Sequence, residues 1–149
     1  MEPRIVTARY HNRKLADRAQ YAVIRSSVGA PRWMTTDGDL KAMWPERAWL
    51  DLPLAEYKPK YLAKLEQFGV LAFAVELERL RVELADRPLV LCCYEDLRDP
   101  SQWCHRRMFA EWFTAQHGYA IDELEEAVPV EKPAKLKPPP LPTKQGGLF

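Results

Sequence analysis

The chain has 149 residues and a formal net charge of +1, with 47% hydrophobic and 29% charged residues. This length and composition are typical of one globular domain with its own core. The small net charge excludes a global attraction to nucleic acid or anionic membrane and leaves nucleic-acid binding undecided. No apolar run is long enough to cross a bilayer. The amino terminus lacks a secretory signal and the three cysteines make a poor disulfide framework, so we expect a reducing cytoplasmic location.

The first third of the chain alternates short apolar runs with polar segments. Residues 4–8 predict a first strand, and residues 21–28 predict a second that Gly29-Ala30-Pro31 ends. Residues 32–39 are predicted to form a loop. Residues 40–52 mix tryptophan and leucine with proline, which favours irregular structure with a helical turn.

Two helices are predicted in the middle of the chain. Pro59 is typical of a helix start, and the apolar positions after it follow the helical period as far as Gly69, the expected stop. Residues 70–85 predict a second, amphipathic helix. Its inward positions are Phe73, Leu77, Leu80 and Leu84.

A buried strand, a polar turn and a last helix follow. Residues 88–94 form an apolar run typical of a strand buried on both faces. Asp99 is the expected N-cap of the helix, with Pro100 at its first position and Gln102 three residues after the cap. Projection at about 100° per residue places His105 near the middle of the apolar face. That face comprises Met108, Phe109, Trp112 and Phe113.

Strands that alternate with helices favour an α/β fold: a small, mainly parallel sheet flanked by helices, in a Rossmann-like sandwich. Residues 1–128 are predicted to form this single domain, with one more short strand or turn at residues 119–121. Residues 129–149 are rich in proline and lysine and predict a disordered tail, because they cannot bury enough surface to fold alone. The PPPLP segment of the tail is a candidate docking motif for a protein partner.

Polar side chains gather where the predicted strands end. Because the carboxyl ends of parallel strands meet at one edge of a sheet, we expect these side chains to face the Cys-His-Arg triplet of the last helix there. The candidates for catalysis are Glu95, Cys104 and His105. The candidates for substrate binding are Tyr10, Ser26, Arg32 and Arg106.

Three segments carry a family resemblance. They are LCCYED with WCHRRMFAEWF, YKPKYLAKLE, and IRSSVGAPR, which together cover most of residues 5–112. In these segments the chain resembles the bacterial and phage family called domain of unknown function 488, whose signature includes Leu-Cys-x-Glu and Cys-His-Arg. The resemblance implies an α/β fold with a pocket around the Cys-His-Arg turn, and it implies no particular activity.

A reactive thiol is one chemistry that the triplet could support. Cys104 would lie near a helix start beside His105 and Arg106, which lowers the pKa of a thiol and activates it as a nucleophile. The alternative is that Cys92 and Cys93 pack in the strand and Cys104 is a small buried filler.

A zinc site is a second chemistry, with Cys93, Glu95, Cys104 and His105 as potential ligands. No CxxC pair exists in the sequence, and neighbouring side chains point about 100° apart on a helix, so Cys104 and His105 could both ligate only with distortion. We therefore predict no bound metal and no other cofactor.

An acid–base site is the third chemistry. Glu95 and His105 would transfer protons, while Arg106 or Arg32 would hold an anionic substrate. The alternatives are a core histidine satisfied by one backbone hydrogen bond, and an Arg106 that forms a surface ion pair with Glu95 or Asp99.

The leading hypothesis is a small cytoplasmic domain that binds an anionic, nucleotide-related ligand and hydrolyses or transfers it. Its motivation is the convergence of polar groups on one strand–helix junction. The alternative is a non-catalytic interaction or ligand-sequestering protein of phage type, motivated by the loop tryptophans and the proline-rich tail.

Overall fold

The computed structural model describes residues 5–126, which form the predicted α/β fold. The strands are β1 (Ile5–Arg9), β2 (Ala22–Arg25), β3 (Gly38–Asp39), β4 (Leu89–Cys93) and β5 (Asp122–Glu123). The helices are α1 (Leu54–Phe68), α2 (Val70–Glu83) and α3 (His105–His117). Short 3-10 helices cover Arg13–Ala16, Lys41–Met43 and Arg47–Trp49.

The strands of this sheet are all parallel, in the order β3-β2-β4-β1-β5, which confirms the predicted parallel sheet. The central strand β4 pairs with β1 on one side and with β2 on the other. In this register Cys93 lies opposite Arg9 and Cys92 lies opposite Arg25. The carboxyl ends of β1, β4 and β2 therefore lie side by side, at the edge where α3 begins.

Both faces of the sheet are buried, and successive residues of a strand alternate between them. On β4, Leu91 belongs to the main core, which also holds the inward positions of all three α-helices. Val90 and Cys92 belong to a smaller cluster on the opposite face, covered by the 3-10 helix at residues 13–16 and by loops. By the same alternation, Cys93 lies on the helix side of the sheet.

Helix α3 begins later than predicted. Its first residue is His105, and its N-cap is Cys104, whose Sγ accepts the Arg106 N–H at 3.5 Å. The predicted N-cap at Asp99 was wrong, because its carboxylate accepts the Ser101 N–H at 2.9 Å and the Ser101 hydroxyl at 2.8 Å. Asp99 therefore forms a local turn instead of a cap.

Helix α1 begins earlier than its predicted start at Pro59. The first residue is Leu54, so Pro59 lies inside the helix and cannot donate a hydrogen bond to Ala55. The helix tolerates this loss because one side of it is buried in the core, through Tyr57, Tyr61 and Leu65. The predicted stop is confirmed, since Gly69 caps the helix with φ 95°.

Two strands escaped prediction. Strand β3 lies in the predicted loop at residues 32–39, and β5 follows the short strand or turn predicted at residues 119–121. Each has two residues, which is too short for an alternating pattern to be recognised. Both are edge strands, so missing them does not change the predicted centre of the sheet.

The predicted tail at residues 129–149 lies outside the described residues. Within residues 5–126, no helix combines the length and the apolar character that crossing a membrane requires.

Candidate functional site

A cavity of about 570 Å³ opens where β2 and β4 end, beside the start of α3. All three predicted catalytic residues, Glu95, Cys104 and His105, line it. Its other walls come from the loops after β2 and β4, the segment before α1 and α1 itself, and include Ser27, Pro45, Leu50, Tyr57, Tyr94 and Trp103. Among the described residues, no lysine or arginine lines this cavity and Glu95 is its one carboxylate. Aromatic and apolar side chains share the walls with the polar residues Ser27, Ser101 and Gln102.

Two cysteines meet at the base of this cavity. Cys93 and Cys104 are joined as a disulfide, with their Cα atoms 7.7 Å apart. The expectation that the cysteines form no disulfide is wrong for this pair, because Cys93 lies on the helix side of the sheet and Cys104 caps the helix that packs there. Cys92 is free and buried on the other side, where burial raises the pKa of its thiol.

His105 is buried, with 7% of its surface exposed. Its Nε2 lies 2.6 Å from the Ser26 carbonyl oxygen, which can only accept, so the ring proton is assigned to Nε2. Its Nδ1 lies 3.8 Å from Cys104 Sγ, and the ring packs edge-on against Tyr61. Burial lowers the pKa of His105 to about 4, although the bond to Ser26 opposes the shift. The imidazole is therefore neutral near pH 7, as in the alternative of a hydrogen-bonded core histidine.

Arg106 is fully buried and does not line the cavity. Its guanidinium forms a two-point ion pair with Glu123, at 2.6 and 3.0 Å. It also donates to the Glu95 carbonyl oxygen at 2.9 Å and to Cys93 Sγ at 3.0 Å. The predicted surface ion pair with Glu95 or Asp99 is therefore wrong. Because Glu123 balances its charge, Arg106 positions the cysteine and the β4–α3 turn, and the predicted anion contact would need a different donor.

Tyr10 and Ser26 are buried and bonded within the protein, outside the cavity lining. The Tyr10 hydroxyl forms a hydrogen bond of 2.8 Å with Ser27 Oγ, and burial raises the pKa of Tyr10. The Ser26 hydroxyl donates to the Cys92 carbonyl oxygen at 2.7 Å. Ser26 thus acts on the site only through its carbonyl, which orients His105.

Arg32 is exposed and is not part of the cavity lining. It lies three residues after Gly29, which does line the cavity. The role in substrate binding that the sequence suggested for Arg32 stays a prediction.

Three potential metal ligands converge within the described residues. The donor atoms of Cys93, Cys104 and His105 all lie within 4.8 Å of one another, and all three residues are buried. The sequence argument against this set assumed that Cys104 and His105 sit on the same helix, about 100° apart. That argument fails because Cys104 precedes the helix with an extended backbone, φ −149° and ψ 146°.

Sequence reasoning missed three residues that shape the site. Tyr57 and Trp103 form an edge-to-face pair on the cavity wall, with ring centroids 4.8 Å apart. Trp103 directly precedes the Cys-His-Arg triplet, and this adjacency is the signal that could have found it. Glu123, the partner of Arg106, belongs to the short acidic segment at residues 122–126, which no local pattern connects to α3.

Comparisons of the chain with protein-family models, with curated proteins and with solved structures find no match. The resemblance to the domain of unknown function 488 family therefore stays a prediction that depends on the three quoted segments.

Proposed function

We propose that the chain is an enzyme that hydrolyses or transfers a group of a nucleotide-related small molecule held in this cavity. The observation that carries the proposal is the convergence of Glu95, Cys104 and His105 on one open cavity at the carboxyl edge of a parallel sheet. Such edges are the usual ligand sites of open α/β sheets.

The cavity wall suits the base or sugar of a nucleotide better than its anionic group. Tyr57, Trp103 and Tyr94 offer aromatic surface for a base or sugar, and the exposed Gln102 offers an amide for hydrogen bonding. Because the described wall carries one carboxylate and no cationic side chain, we place the anionic group of the ligand at the mouth of the cavity. The exposed Arg32 is our candidate for its partner there.

The chemistry divides between the carboxylate and the sulfur–imidazole group. Glu95 is only partly buried and lines the cavity, so we assign proton transfer to it. His105 is neutral and hydrogen-bonded through Nε2, which leaves Nδ1 as an acceptor beside Cys104. In the reduced protein, in which the Cys93–Cys104 bond is broken and Cys104 carries a free thiol, we assign contact with the reacting group to the Cys104–His105 pair.

A binding and turnover screen tests the proposal. Nucleosides, nucleotides and sugar phosphates would be added to the full chain, and binding would be followed by tryptophan fluorescence and calorimetry. We expect Trp103→Ala to weaken binding at least ten-fold, and Glu95→Gln to keep binding and lose turnover. Arg107→Ala, an exposed position outside the cavity lining, is the control that should match the parent.

The same screen separates the proposal from a ligand-sequestering protein. A parent protein that binds a ligand tightly but converts none of it supports sequestration. A parent that binds no member of the panel, or binding that Trp103→Ala leaves intact, shows that the cavity is not the ligand site.

A further inference from the structure

The reactive centre of this cavity has the composition of a metal site. We propose that the reduced chain binds one Zn²⁺ through Cys93 Sγ, Cys104 Sγ and His105 Nδ1, with a fourth position open to the cavity. The proposal deepens the proposed function and rests on it for the role of the open position. It starts from three buried donor atoms that lie within 4.8 Å of one another.

The backbone spacing of the two cysteines suits an ion between the sulfurs. Their Cα atoms are 7.7 Å apart, whereas disulfides usually hold this distance between about 4.4 and 6.8 Å. Two thiolates that share a tetrahedral Zn²⁺, each about 2.3 Å from the metal, have their sulfurs about 3.7 Å apart. The wider backbone spacing therefore accommodates a bridging ion.

His105 is oriented as zinc-binding histidines are. Its Nε2 proton is donated to the Ser26 carbonyl oxygen at 2.6 Å, which leaves the Nδ1 lone pair directed towards Cys104 Sγ, 3.8 Å away. Such a hydrogen bond on the second ring nitrogen fixes both the tautomer and the ring orientation of a ligating histidine. Ser26 is itself held by its hydroxyl bond to the Cys92 carbonyl oxygen.

A cation between the two sulfurs would balance the negative charge of two thiolates. The Arg106 guanidinium donates to Cys93 Sγ at 3.0 Å, and the Arg106 backbone N–H donates to Cys104 Sγ at 3.5 Å, so both sulfurs receive hydrogen bonds suited to thiolates. The positive charge of Arg106 is already balanced by Glu123. Two buried thiolates would therefore lack a counter-charge, and a divalent ion supplies it.

The three proposed protein ligands leave one coordination position of the zinc for water or substrate. Structural zinc sites are closed by four protein ligands, whereas catalytic sites have three and keep one position for water or substrate. The three proposed ligands line the cavity, and Glu95 lines the same cavity. A zinc-bound water there, with Glu95 as the proton acceptor, is suited to hydrolysis.

Zinc and the disulfide are alternative states of the same two sulfurs. A cellular dithiol supplies two electrons and two protons to break the Cys93–Cys104 bond and becomes a disulfide itself. The two thiols formed then bind Zn²⁺ and release two protons. Zinc loading is therefore expected only in reduced protein.

Metal analysis of the full chain tests the proposal. The parent, Cys93→Ser, Cys104→Ser and Cys92→Ala would be reduced, incubated with Zn²⁺, freed of excess ion and measured for bound zinc. Far-UV circular dichroism would verify that each variant is folded. We expect one zinc per chain in the parent and in Cys92→Ala, the matched control because Cys92 lies on the opposite side of β4. Both serine variants should lose at least ten-fold in zinc affinity.

Cobalt substitution adds a signature of the ligands. The reduced parent loaded with Co²⁺ should show thiolate-to-cobalt charge-transfer absorption, which either serine variant weakens and Cys92→Ala preserves. A reduced, folded parent that binds no zinc overturns the proposal, as does a Cys92→Ala variant that loses zinc as the serine variants do.

The ligand screen keeps the two proposals apart. Trp103→Ala and Glu95→Gln lie outside the proposed ligand set, so both should bind zinc like the parent. Zinc binding without any bound nucleoside or nucleotide supports the metal site and overturns the proposed function. Ligand binding and turnover in protein that takes up no zinc leaves the proposed function in place and removes the metal.

Discussion

His105 and Arg106 are neighbours in the chain and both are buried, yet only His105 lines the cavity. The Arg106 guanidinium bonds to Glu123, to the Glu95 carbonyl oxygen and to Cys93 Sγ. Arg106 does not line the cavity. His105 is fixed at one nitrogen by Ser26 and presents its other edge beside Cys104, on the cavity wall.

A polar group with a structural role differs from one with a functional role in whether its bonding atoms border open space. Burial of a charged or titratable group alone is compatible with a purely structural role, because such groups are normally paired. A polar or metal-binding atom that borders a cavity is different, because a ligand or a metal ion in the cavity can bond to it. On this criterion the Cys93–Cys104–His105 cluster is the candidate site, and the Arg106–Glu123 pair supports it.

The largest expected effect comes from breaking the supporting pair. Arg106→Met removes a fully buried guanidinium and leaves Glu123 without its ion-pair partner, although the Thr7 hydroxyl still donates to the carboxylate. We expect the free energy of unfolding to fall by about 3 kcal/mol or more. Urea denaturation measures the loss. Arg107→Met, at the adjacent exposed position, should cost less than about 0.5 kcal/mol. Equal losses in the two variants would mean that the pair has no special structural role.

The second prediction concerns the pH dependence of stability in the metal-free, oxidised protein. The folded-state pKa of His105 is about 4, below the value of about 6.5 expected in the unfolded chain. Its contribution is therefore complete above pH 6.5 and is lost as the pH falls towards 4, by about 3 kcal/mol in total. His105→Gln should remove that part of the difference between urea unfolding at pH 7 and at pH 4. An unchanged difference would indicate that His105 is readily protonated in the folded chain.

The sequence was sufficient for the fold class and for the candidate centre. Alternating strand and helix patterns predicted the parallel sheet, and the rule that ligands bind at its carboxyl edge placed Glu95, Cys104 and His105 together. Alternation along β4 also implies that Cys92 and Cys93 face opposite sides of the sheet. The sequence interpretation treated both cysteines alike and did not use this difference.

Other parts of the site depended on contacts that no local pattern encodes. The sequence suggests a substrate contact or a surface ion pair for Arg106, but its partner Glu123 comes from an edge strand of two residues. The sequence predicts a helix that starts at Pro100 and includes Cys104, but the helix starts at His105, one residue after Cys104. The predicted first turn is replaced by a local turn in which the Asp99 carboxylate accepts the Ser101 N–H. Both errors are cases in which tertiary or turn contacts outweighed local preference.

A third prediction contrasts two tyrosines near the site. Tyr10 is buried with its hydroxyl on Ser27, so Tyr10→Phe should cost about 1 kcal/mol and leave ligand affinity unchanged. Tyr94 is 44% exposed and lines the cavity, so Tyr94→Ala should weaken ligand binding and cost little stability. Urea unfolding and calorimetric titration measure the two effects. The reverse pattern would place the ligand on the Tyr10 side.

The smallest expected effect is at the mouth of the cavity. Arg32 is exposed, so Arg32→Ala should change the free energy of unfolding by less than about 0.5 kcal/mol. If it meets the anionic group of the ligand, the variant should lose a few-fold in affinity for a nucleotide and nothing for the matching nucleoside. The loss should shrink as salt is raised. Equal affinity changes for both compounds would rule out this charge contact.

The coordination shell of zinc in the reduced full chain shows directly whether Cys93, Cys104 and His105 hold the metal. X-ray absorption spectroscopy at the zinc edge should resolve two sulfur neighbours at about 2.3 Å, with lighter atoms at about 2.0 Å from His105 and a water. A shell of oxygen and nitrogen alone, or four sulfur neighbours from two chains, would contradict a site built from Cys93, Cys104 and His105 with one position open.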